Sequence, residues 1–425
     1  MRPNHRFLVS LAALPLLALA GCGGSTGPAS PSAEASGKTG SPAAAGHDGH
    51  DHEAEAEGDA TETAEASPRL AVGTATGIVL LDEHLKVLAT YETTARPALT
   101  TASDGRHVLA VQTEAGTVNV LDTGTWAQGH GDHFHYYVTE PEMLADSLAG
   151  GRPIHVVPNA KAGVTTVFFD ADGKAQVLDT ETLRHAELHG LATIDSKGPH
   201  HGVVVPQSDR SWLVTQPAGT DGGTPDTVDR TTADGTVRQT FDCKGLHGEV
   251  VVGNTTAFGC ADKVLIVREG QATDVAYPDA SGERVGGIVS DAKATTFVGD
   301  YASDSLLFVS NDTATVVNVG TEYSNIAVTA DDRFVVLGTD GKLRLYDRAG
   351  TELQTIEVTG AWTKPSGHGG ISPKITAGVL KAANMVWVTE PGANKVHAVD
   401  LFANTVTGVE VAGQPSSVAV ANAAE

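Results

Sequence analysis

From Arg69 onward, the chain alternates short apolar runs with polar turn sequences. The runs are rich in Val, Ile, Leu, Thr and Phe, and pairs such as Asp-Gly, Gly-Thr and Asn-Asp separate them. β-Branched and aromatic residues favour strands, and these pairs favour tight turns. An apolar spacing of three or four residues never persists for more than about two helical turns. The pattern therefore predicts an all-β fold of many short strands.

The strand-like runs recur as a repeat of about 45 residues, and each repeat contains four runs. Repeats begin near Pro97, Pro153, Pro199, Leu246, Val285, Ser324 and Gly369. A repeat of this length with four strands is typical of a β-propeller, in which each repeat forms one four-stranded blade.

The two ends of the repeat array complement each other. The segment from Arg69 contains three strand-like runs, and the segment from Pro415 contains one. We expect the C-terminal strand to complete the first blade, because this closes the ring and leaves no long unpaired edge. Residues 69–425 then form a propeller of eight blades. Seven blades remain an alternative, since the 97–153 unit is irregular.

The N-terminus has the pattern of an export signal. Two arginines precede an apolar stretch that is too short to span a bilayer and that ends in Leu19-Ala20-Gly21-Cys22. This ending resembles the lipobox of bacterial lipoproteins, whose Cys is lipidated and becomes the first mature residue. We expect residues 1–21 to be a lipoprotein signal peptide and lipid on Cys22 to anchor the protein to the outer face of the cell membrane. An ordinary secretory signal would also export it.

Residues 22–68 read as a disordered acidic linker. They contain almost no large apolar side chains, so burial cannot offset the entropy lost on ordering. As a random coil this segment would span roughly 35–40 Å. His47, His50 and His52 lie within it and are followed by carboxylates, which predicts auxiliary capture of a divalent ion such as zinc. The alternative is a solvated linker that happens to contain histidine.

Charge and cysteine content narrow the choice of partners. The chain has 52 acidic and 28 basic residues, a formal net charge of −24. Nucleic acid is excluded as a partner, because phosphate contacts need a basic surface, whereas cations are attracted.

Export leaves Cys243 and Cys260, and an oxidising compartment favours a disulfide between them. The alternative is that one of them is a thiolate metal ligand.

The 17 histidines fall at particular places on the propeller frame. First strands line the central channel and all start at the same end, which we call the mouth. Histidines at or just before first strands are expected there: His155, His200, His201, His247 and His368. An insertion just before Pro153 is expected at the same mouth and adds further candidate ligands: His130, Asp132, His133 and His135.

Together these side chains predict a transition-metal site, with zinc as the expected ion. In extended backbone His133 and His135 point to the same side, about 7 Å apart, and so can share an ion. Asp132 is a candidate oxygen ligand or a hydrogen-bond acceptor for a histidine, and Glu249 is a further candidate. The pattern does not decide between His200 and His201. A single histidine at a strand start is more often an ordinary hydrogen-bonding residue.

These motifs together resemble a known family. The His-rich tail, GHGDHFHYY from Gly129, PHHGVVVP from Pro199 and GLHGEVVV from Gly245 are similar to the extracytoplasmic zinc metallochaperones of AztD type. The resemblance covers essentially the whole mature chain. It implies a β-propeller that carries Zn²⁺ and hands it to the solute-binding protein of a zinc ABC importer. It also implies ligands among His133, His135, His200 or His201, and His247. The lipobox is a departure, because it implies a membrane-tethered version.

Two other functions compete with this interpretation. A lipoprotein propeller can act as a protein-binding scaffold, which would hold no stoichiometric metal. A three-histidine site with an open position can activate water, as in metal-dependent hydrolases or lactonases. The sequence contains no nucleophile elbow or other catalytic motif, so we expect no enzyme activity.

Overall fold

The computed structural model describes residues 59–130, 133–219, 222–279, 283–366, 370–381 and 383–422. All of them lie in the compact unit Ala54–Glu425. They form 35 strands, one short helix (α1, Thr180–Arg184) and two 3₁₀ turns at Thr113–Ala115 and Pro391–Ala393. The predicted signal peptide, the lipidation site Cys22 and His47, His50 and His52 lie outside the described residues. Within the described part, none of the helical segments has the length and apolarity needed to cross a bilayer.

Eight four-stranded antiparallel sheets form the blades. The first blade contains β2 Arg69–Gly73, β3 Gly77–Leu81, β4 Val87–Glu92 and the C-terminal β35 Ser417–Ala421. The second contains β5 Ala98–Thr101, β6 His107–Gln112, β7 Thr117–Asp122 and β10 Glu142–Ala149. The third contains β11 Pro153–Asn159, β12 Val164–Phe169, β13 Lys174–Asp179 and β14 Thr193–Asp195. The fourth contains β15 Val204–Pro206, β16 Trp212–Pro217, β17 Pro225–Thr231 and β18 Val237–Asp242.

The remaining four blades follow the same order. The fifth contains β19 Glu249–Val252, β20 Thr255–Gly259, β21 Lys263–Arg268 and β22 Gln271–Ala276. The sixth contains β23 Ile288–Ser290, β24 Thr296–Ala302, β25 Ser305–Ser310 and β26 Thr313–Asn318. The seventh contains β27 Tyr323–Val328, β28 Phe334–Gly338, β29 Lys342–Tyr346 and β30 Glu352–Glu357. The eighth contains β31 Ile375–Leu380, β32 Ala383–Glu390, β33 Lys395–Asp400 and β34 Thr405–Glu410.

The C-terminal strand closes the ring as predicted. β35 pairs antiparallel with β2, from Ser417 opposite Gly73 to Ala421 opposite Arg69. It is the innermost strand of the first blade and also contacts β5 and β31, the first strands of the adjacent blades. The all-β propeller of eight four-stranded blades is therefore confirmed, and the seven-blade alternative is excluded.

Burial explains which strands are easiest to recognise in the sequence. Every residue of the second strand β6 is buried, whereas the outermost strand β34 is almost wholly exposed. Between blades, apolar side chains from facing sheets share one cluster, as Val205 and Leu213 do with Phe258 across the fourth and fifth blades. Each fully buried large apolar side chain contributes about 1.5–3 kcal/mol. These contacts hold each blade to its neighbours around the ring.

The prediction for the insertion is wrong. β8 Thr125–His130 and β9 His133–Val138 do not precede a first strand but lie between β7 and β10, the third and fourth strands of the second blade. With β1 Thr61–Thr63 they form a separate three-stranded sheet, here called the ribbon. β10 has the sequence EMLADSLA, which lacks β-branched residues, so the apolar pattern hides this fourth strand and displaces the insertion past it.

The insertion between β7 and β10 determines which end of the propeller channel the ribbon occupies. Strands within a blade alternate in direction, so the turn from third to fourth strand lies at the end opposite to the starts of the first strands. The ribbon is therefore at the far end of the barrel from the mouth. β1 also shows that the predicted linker 22–68 includes a strand near its end.

The two cysteines of the propeller form the expected disulfide. Cys243 follows β18 and Cys260 follows β20, their Cα atoms are 5.0 Å apart, and both side chains are fully buried. The bond excludes the alternative that either sulfur is a thiolate metal ligand.

We predict that the double substitution Cys243→Ala/Cys260→Ala lowers the free energy of unfolding by about 3 kcal/mol, because the disulfide restricts a loop of 17 residues in the unfolded chain. Urea unfolding followed by tryptophan fluorescence measures this. A reductant should bring the wild type to the stability of the variant and leave the variant unchanged. Equal transitions for the two oxidised proteins would contradict the prediction.

Candidate metal-binding site

Three histidines from consecutive blades meet at the mouth. His155 is in β11, while His201 and His247 lie in the loops that enter β15 and β19. Their imidazole centroids are 4.8 Å apart for His155 and His201 and 5.3 Å apart for His201 and His247. They line a cavity of about 670 Å³, with Asp170, Arg152 and Arg284 also in its wall. The convergence predicted for these three first strands is present.

Each of these imidazoles is oriented through its Nδ1 atom. His155 Nδ1 donates to Glu249 Oε1 at 3.3 Å, His201 Nδ1 donates to Asp170 Oδ2 at 2.8 Å, and His247 Nδ1 donates to the Gly286 carbonyl at 2.6 Å. Because carboxylates and carbonyls only accept, each Nδ1 carries a hydrogen. In a neutral ring the lone pair is then on Nε2, which is the arrangement of metal-ligating histidines.

The Nε2 atoms of His155 and His201 face each other at 3.3 Å. With both Nδ1 atoms protonated, this contact is a hydrogen bond only if one ring is an imidazolium that donates to the other. Burial alone would lower the pKa of His155, but the charge and the hydrogen bond of Glu249 outweigh burial and raise it. Glu249 thus favours the charged form of the His155 ring.

Two further titratable groups beside this pair have lowered pKa values. Burial would raise the pKa of Glu249, but the neighbouring His155 charge outweighs this and lowers it, so the carboxylate stays ionised. Burial, together with the charges of His201 and Arg284, lowers the pKa of His247. His247 is thus a neutral imidazole at neutral pH, the form that binds metals.

Backbone geometry fixes the His247–Glu249 segment. Gly248 between them has φ +79°, and a Cβ there would lie 2.7 Å from the Gly286 carbonyl oxygen. Only glycine fits this position without strain, since its φ is left-handed and the neighbouring backbone is close. The glycine lets the His247 ring reach the Gly286 carbonyl while Glu249 starts β19 beneath His155.

His200 does not belong to the cluster. Its side chain is 1% exposed, its Nδ1 is 2.9 Å from the Gly198 carbonyl oxygen and its Nε2 is 2.8 Å from Thr215 Oγ1. Phe168 packs edge-on against the ring. Both ring nitrogens are used inside the blade, so the choice that the sequence left open falls to His201.

The histidines of the insertion form a second, separate pair on the ribbon. His133 Nε2 lies 3.1 Å from His135 Nε2, and His135 Nδ1 donates to Glu62 Oε1 at 2.7 Å. Since the ribbon is at the opposite end of the barrel, the expectation that His133 and His135 share the mouth with His201 and His247 is wrong. His130 ends β8 opposite His133 in register. Asp132 and His368 lie outside the described residues.

Two side chains at these sites were not predicted from the sequence. Asp170 follows β12 in a turn, where aspartate is common, so only its position at the mouth-side end of a second strand distinguishes it. Its Oδ1 is buried without a hydrogen-bond partner among the described atoms. Glu62 lies in the acidic linker, where nothing separates it from neighbouring carboxylates until β1 pairs with β9.

Neither histidine site has a complete set of metal ligands among the described residues. Among the residues that the structure describes, no group of three or more His, Cys, Asp or Glu side chains is arranged to hold a metal ion as it stands. At the mouth the Nε2 atoms of His155 and His201 are already 3.3 Å apart, whereas the His247 ring centroid lies 6.5 Å from that of His155. A third ligand at the mouth therefore requires a small movement of the His247 ring.

We predict that Glu249→Gln lowers the pKa of His155 in metal-free protein. Removing the carboxylate charge leaves burial, which disfavours the imidazolium, as the dominant influence. Titration of the imidazole nitrogens by NMR measures the change. Glu181→Gln, which removes an exposed carboxylate partner of His185, is the matched control and should leave His155 unchanged. The cause assigned here is wrong if the pKa of His155 is the same in Glu249→Gln and wild type.

Comparison with known proteins supports the resemblance seen in the sequence. No protein-family model matches the chain. A curated relative, the zinc chaperone AztD of Citrobacter koseri, is 25% identical over 349 residues, which cover 78% of this chain and 80% of the relative. The similarity to AztD is thereby confirmed, and that relative is named as a chaperone rather than an enzyme.

Solved structures agree on the fold. Apo AztD from Citrobacter koseri superimposes with a TM-score of 0.74 at 24% identity, covering 84% of this chain and 98% of that one. A second crystal structure of the same protein gives a TM-score of 0.75 with the same identity and coverage. The dihydro-heme d1 dehydrogenase NirN matches less well, with a TM-score of 0.57 at 11% identity over 83% of this chain and 75% of that one.

Proposed function

We propose that this protein is an extracytoplasmic zinc metallochaperone, which captures Zn²⁺ at the mouth and passes it to the solute-binding protein of a zinc ABC importer. The observation that carries the proposal is the geometry of His155 and His201. Each ring is held through Nδ1 by a carboxylate, and the two Nε2 atoms face each other at 3.3 Å. The AztD resemblance supports the same function.

The distance between the two nitrogens fits zinc. Zinc–nitrogen bonds of about 2.0–2.1 Å at a tetrahedral angle place two ligand nitrogens about 3.3 Å apart. The His155–His201 pair therefore has the spacing of one edge of a zinc tetrahedron before any metal binds. Zinc binding requires an unprotonated Nε2 on each ring, so any proton held there leaves to solvent.

The incomplete ligand set suits a carrier. His247, with its neutral imidazole, supplies the third nitrogen after a small ring movement, and the fourth position faces the cavity. Structural zinc sites have four protein ligands and are closed, whereas a site with an open position accepts a ligand from outside. A partner's side chain enters at that position, and His247 is the first ligand to leave. Ligand exchange then moves the ion without releasing it to water.

The ribbon pair and the tail supply auxiliary capture. His133 and His135 have the same Nε2-to-Nε2 arrangement, and Glu62 holds the His135 ring as Glu249 holds that of His155. Both histidines are on an exposed sheet, so an ion bound there is weakly enclosed. His47, His50 and His52 lie in the sequence within about 15 residues before β1, the strand that pairs with β9. Lipid on Cys22 would keep the protein outside the cytoplasm and near the importer.

We predict that the mature wild type retains zinc after desalting and transfers it to a metal-free importer binding protein. His155→Ala/His201→Ala should lose the tightly held equivalent, because no pair of preset nitrogens remains at the mouth. His133→Ala/His135→Ala and deletion of residues 23–58 should keep it and lose only loosely held zinc. Metal analysis and a fluorescent zinc probe measure retention and transfer.

The matched control is His84→Ala/His189→Ala, which removes two exposed histidines elsewhere. This control should behave as the wild type. Tight zinc that survives His155→Ala/His201→Ala would contradict the mouth as the carrier site. Absence of retained zinc in every form would contradict the chaperone function.

We further predict that Asp170→Asn weakens zinc binding by about 10–100-fold, since outer hydrogen-bond partners of ligating histidines contribute about that much to affinity. Competition with a chelator of known affinity measures the change. Asp172→Asn, which alters a neighbouring turn carboxylate outside the cluster, is the control. Equal affinities for Asp170→Asn and wild type would show that His201 needs no oriented ring to bind the ion.

A further inference from the structure

A second cavity opens at the same end of the channel as the three histidines, but on other blades of the ring. It has a volume of about 460 Å³ and is lined by residues at the starts of first strands in the seventh, eighth, first and second blades. Arg96, just before β5, and Lys374, just before β31, are the charged side chains in its wall. Ala98 and Ile371 supply exposed apolar surface in the same wall.

The charge of Arg96 has no counter-ion among the described residues. Its Nη1 donates to the Gln414 carbonyl at 2.6 Å and to Ser416 Oγ at 2.8 Å, and its Nη2 is 3.4 Å from Gln414 Oε1. All three acceptors are neutral. These bonds hold the guanidinium at the cavity edge without cancelling its charge.

Lys374 is similarly uncompensated. Its side chain is accessible to solvent through the cavity, and its ammonium has neither an ion pair nor a hydrogen bond among the described residues. Enclosure by the surrounding protein and the nearby charge of Lys364 lower the pKa of Lys374, while Asp300 opposes them. The Asp300 carboxylate is bound instead by the backbone N–H groups of Gly286 and Gly287. Among the described residues of this cavity wall there is thus no carboxylate, although the protein has a net charge of −24.

We propose that this cavity binds a small organic anion with at least two carboxylates. The two cations stand on different blades, so they suit two separate anionic groups rather than one compact ion. The apolar surface in the same wall suits a carbon skeleton, which an inorganic anion lacks. The volume lies in the range of small-molecule pockets. The site uses none of the mouth histidines and is independent of zinc binding.

The test is titration of citrate into metal-free full-length mature protein by isothermal calorimetry. We expect saturable binding of one citrate, and about tenfold weaker binding by Lys374→Gln, since loss of one charge-assisted contact costs about 1.4 kcal/mol. Lys395→Gln removes an exposed lysine of the same blade and should bind citrate as the wild type does. Sulfate should compete only weakly with citrate, because so small an anion contacts one of the two cations at a time.

Four outcomes would overturn the proposal. They are no saturable heat up to about 10 mM citrate, equal affinities for Lys374→Gln and Lys395→Gln, sulfate binding as tightly as citrate, and binding of a Glu-rich peptide in place of citrate. His155→Ala/His201→Ala should bind citrate normally. If that variant loses citrate binding, the anion sits at the histidine cluster and the cavity assigned here is wrong, whatever the result for zinc.

Discussion

Closure of the ring by β35 is the constraint on which the rest of this structure depends. Pairing of Ser417–Ala421 with β2 joins the two ends of the chain and fixes eight first strands around one channel. Only in the closed ring do residues from three consecutive blades, more than 40 positions apart, come within hydrogen-bond distance at one mouth. The interblade apolar clusters then hold neighbouring blades together, so that the strand and the loops that carry the mouth histidines start from a fixed frame.

Within that frame, chemistry at the mouth is set by what each imidazole does with Nδ1. Glu249, Asp170 and the Gly286 carbonyl each accept one Nδ1–H, so the lone pair of each neutral ring lies on Nε2. The Nε2 atoms of His155 and His201 already have the spacing of two zinc ligands without a metal ion. Zinc binding and release at this pair then need little rearrangement of the carboxylates that orient the rings.

Strand periodicity and turn residues were sufficient to predict the fold, the blade count and the closure, because the second strands are largely buried and rich in apolar and β-branched residues. Placing histidines on that frame put His155, His201 and His247 among the candidates at the mouth, but it did not separate His201 from His200. The sequence pattern misplaced the ribbon, since β10 lacks β-branched residues and was not recognised as a strand. Missing this one strand assigns the insertion to the opposite end of the propeller channel. Asp170 and Glu62 gave no local signal. Their roles arise from pairings between distant segments, which no single-sequence pattern encodes.

In the proposed function, zinc sits between His155 and His201. Anomalous diffraction at the zinc edge, from crystals of the protein loaded with one equivalent of zinc, tests this position. We expect one main peak bonded to Nε2 of both rings at about 2.0–2.1 Å, with the His247 ring turned toward it. A main peak on the His133–His135 pair, with none at the mouth, would show that the carrier site is on the ribbon instead.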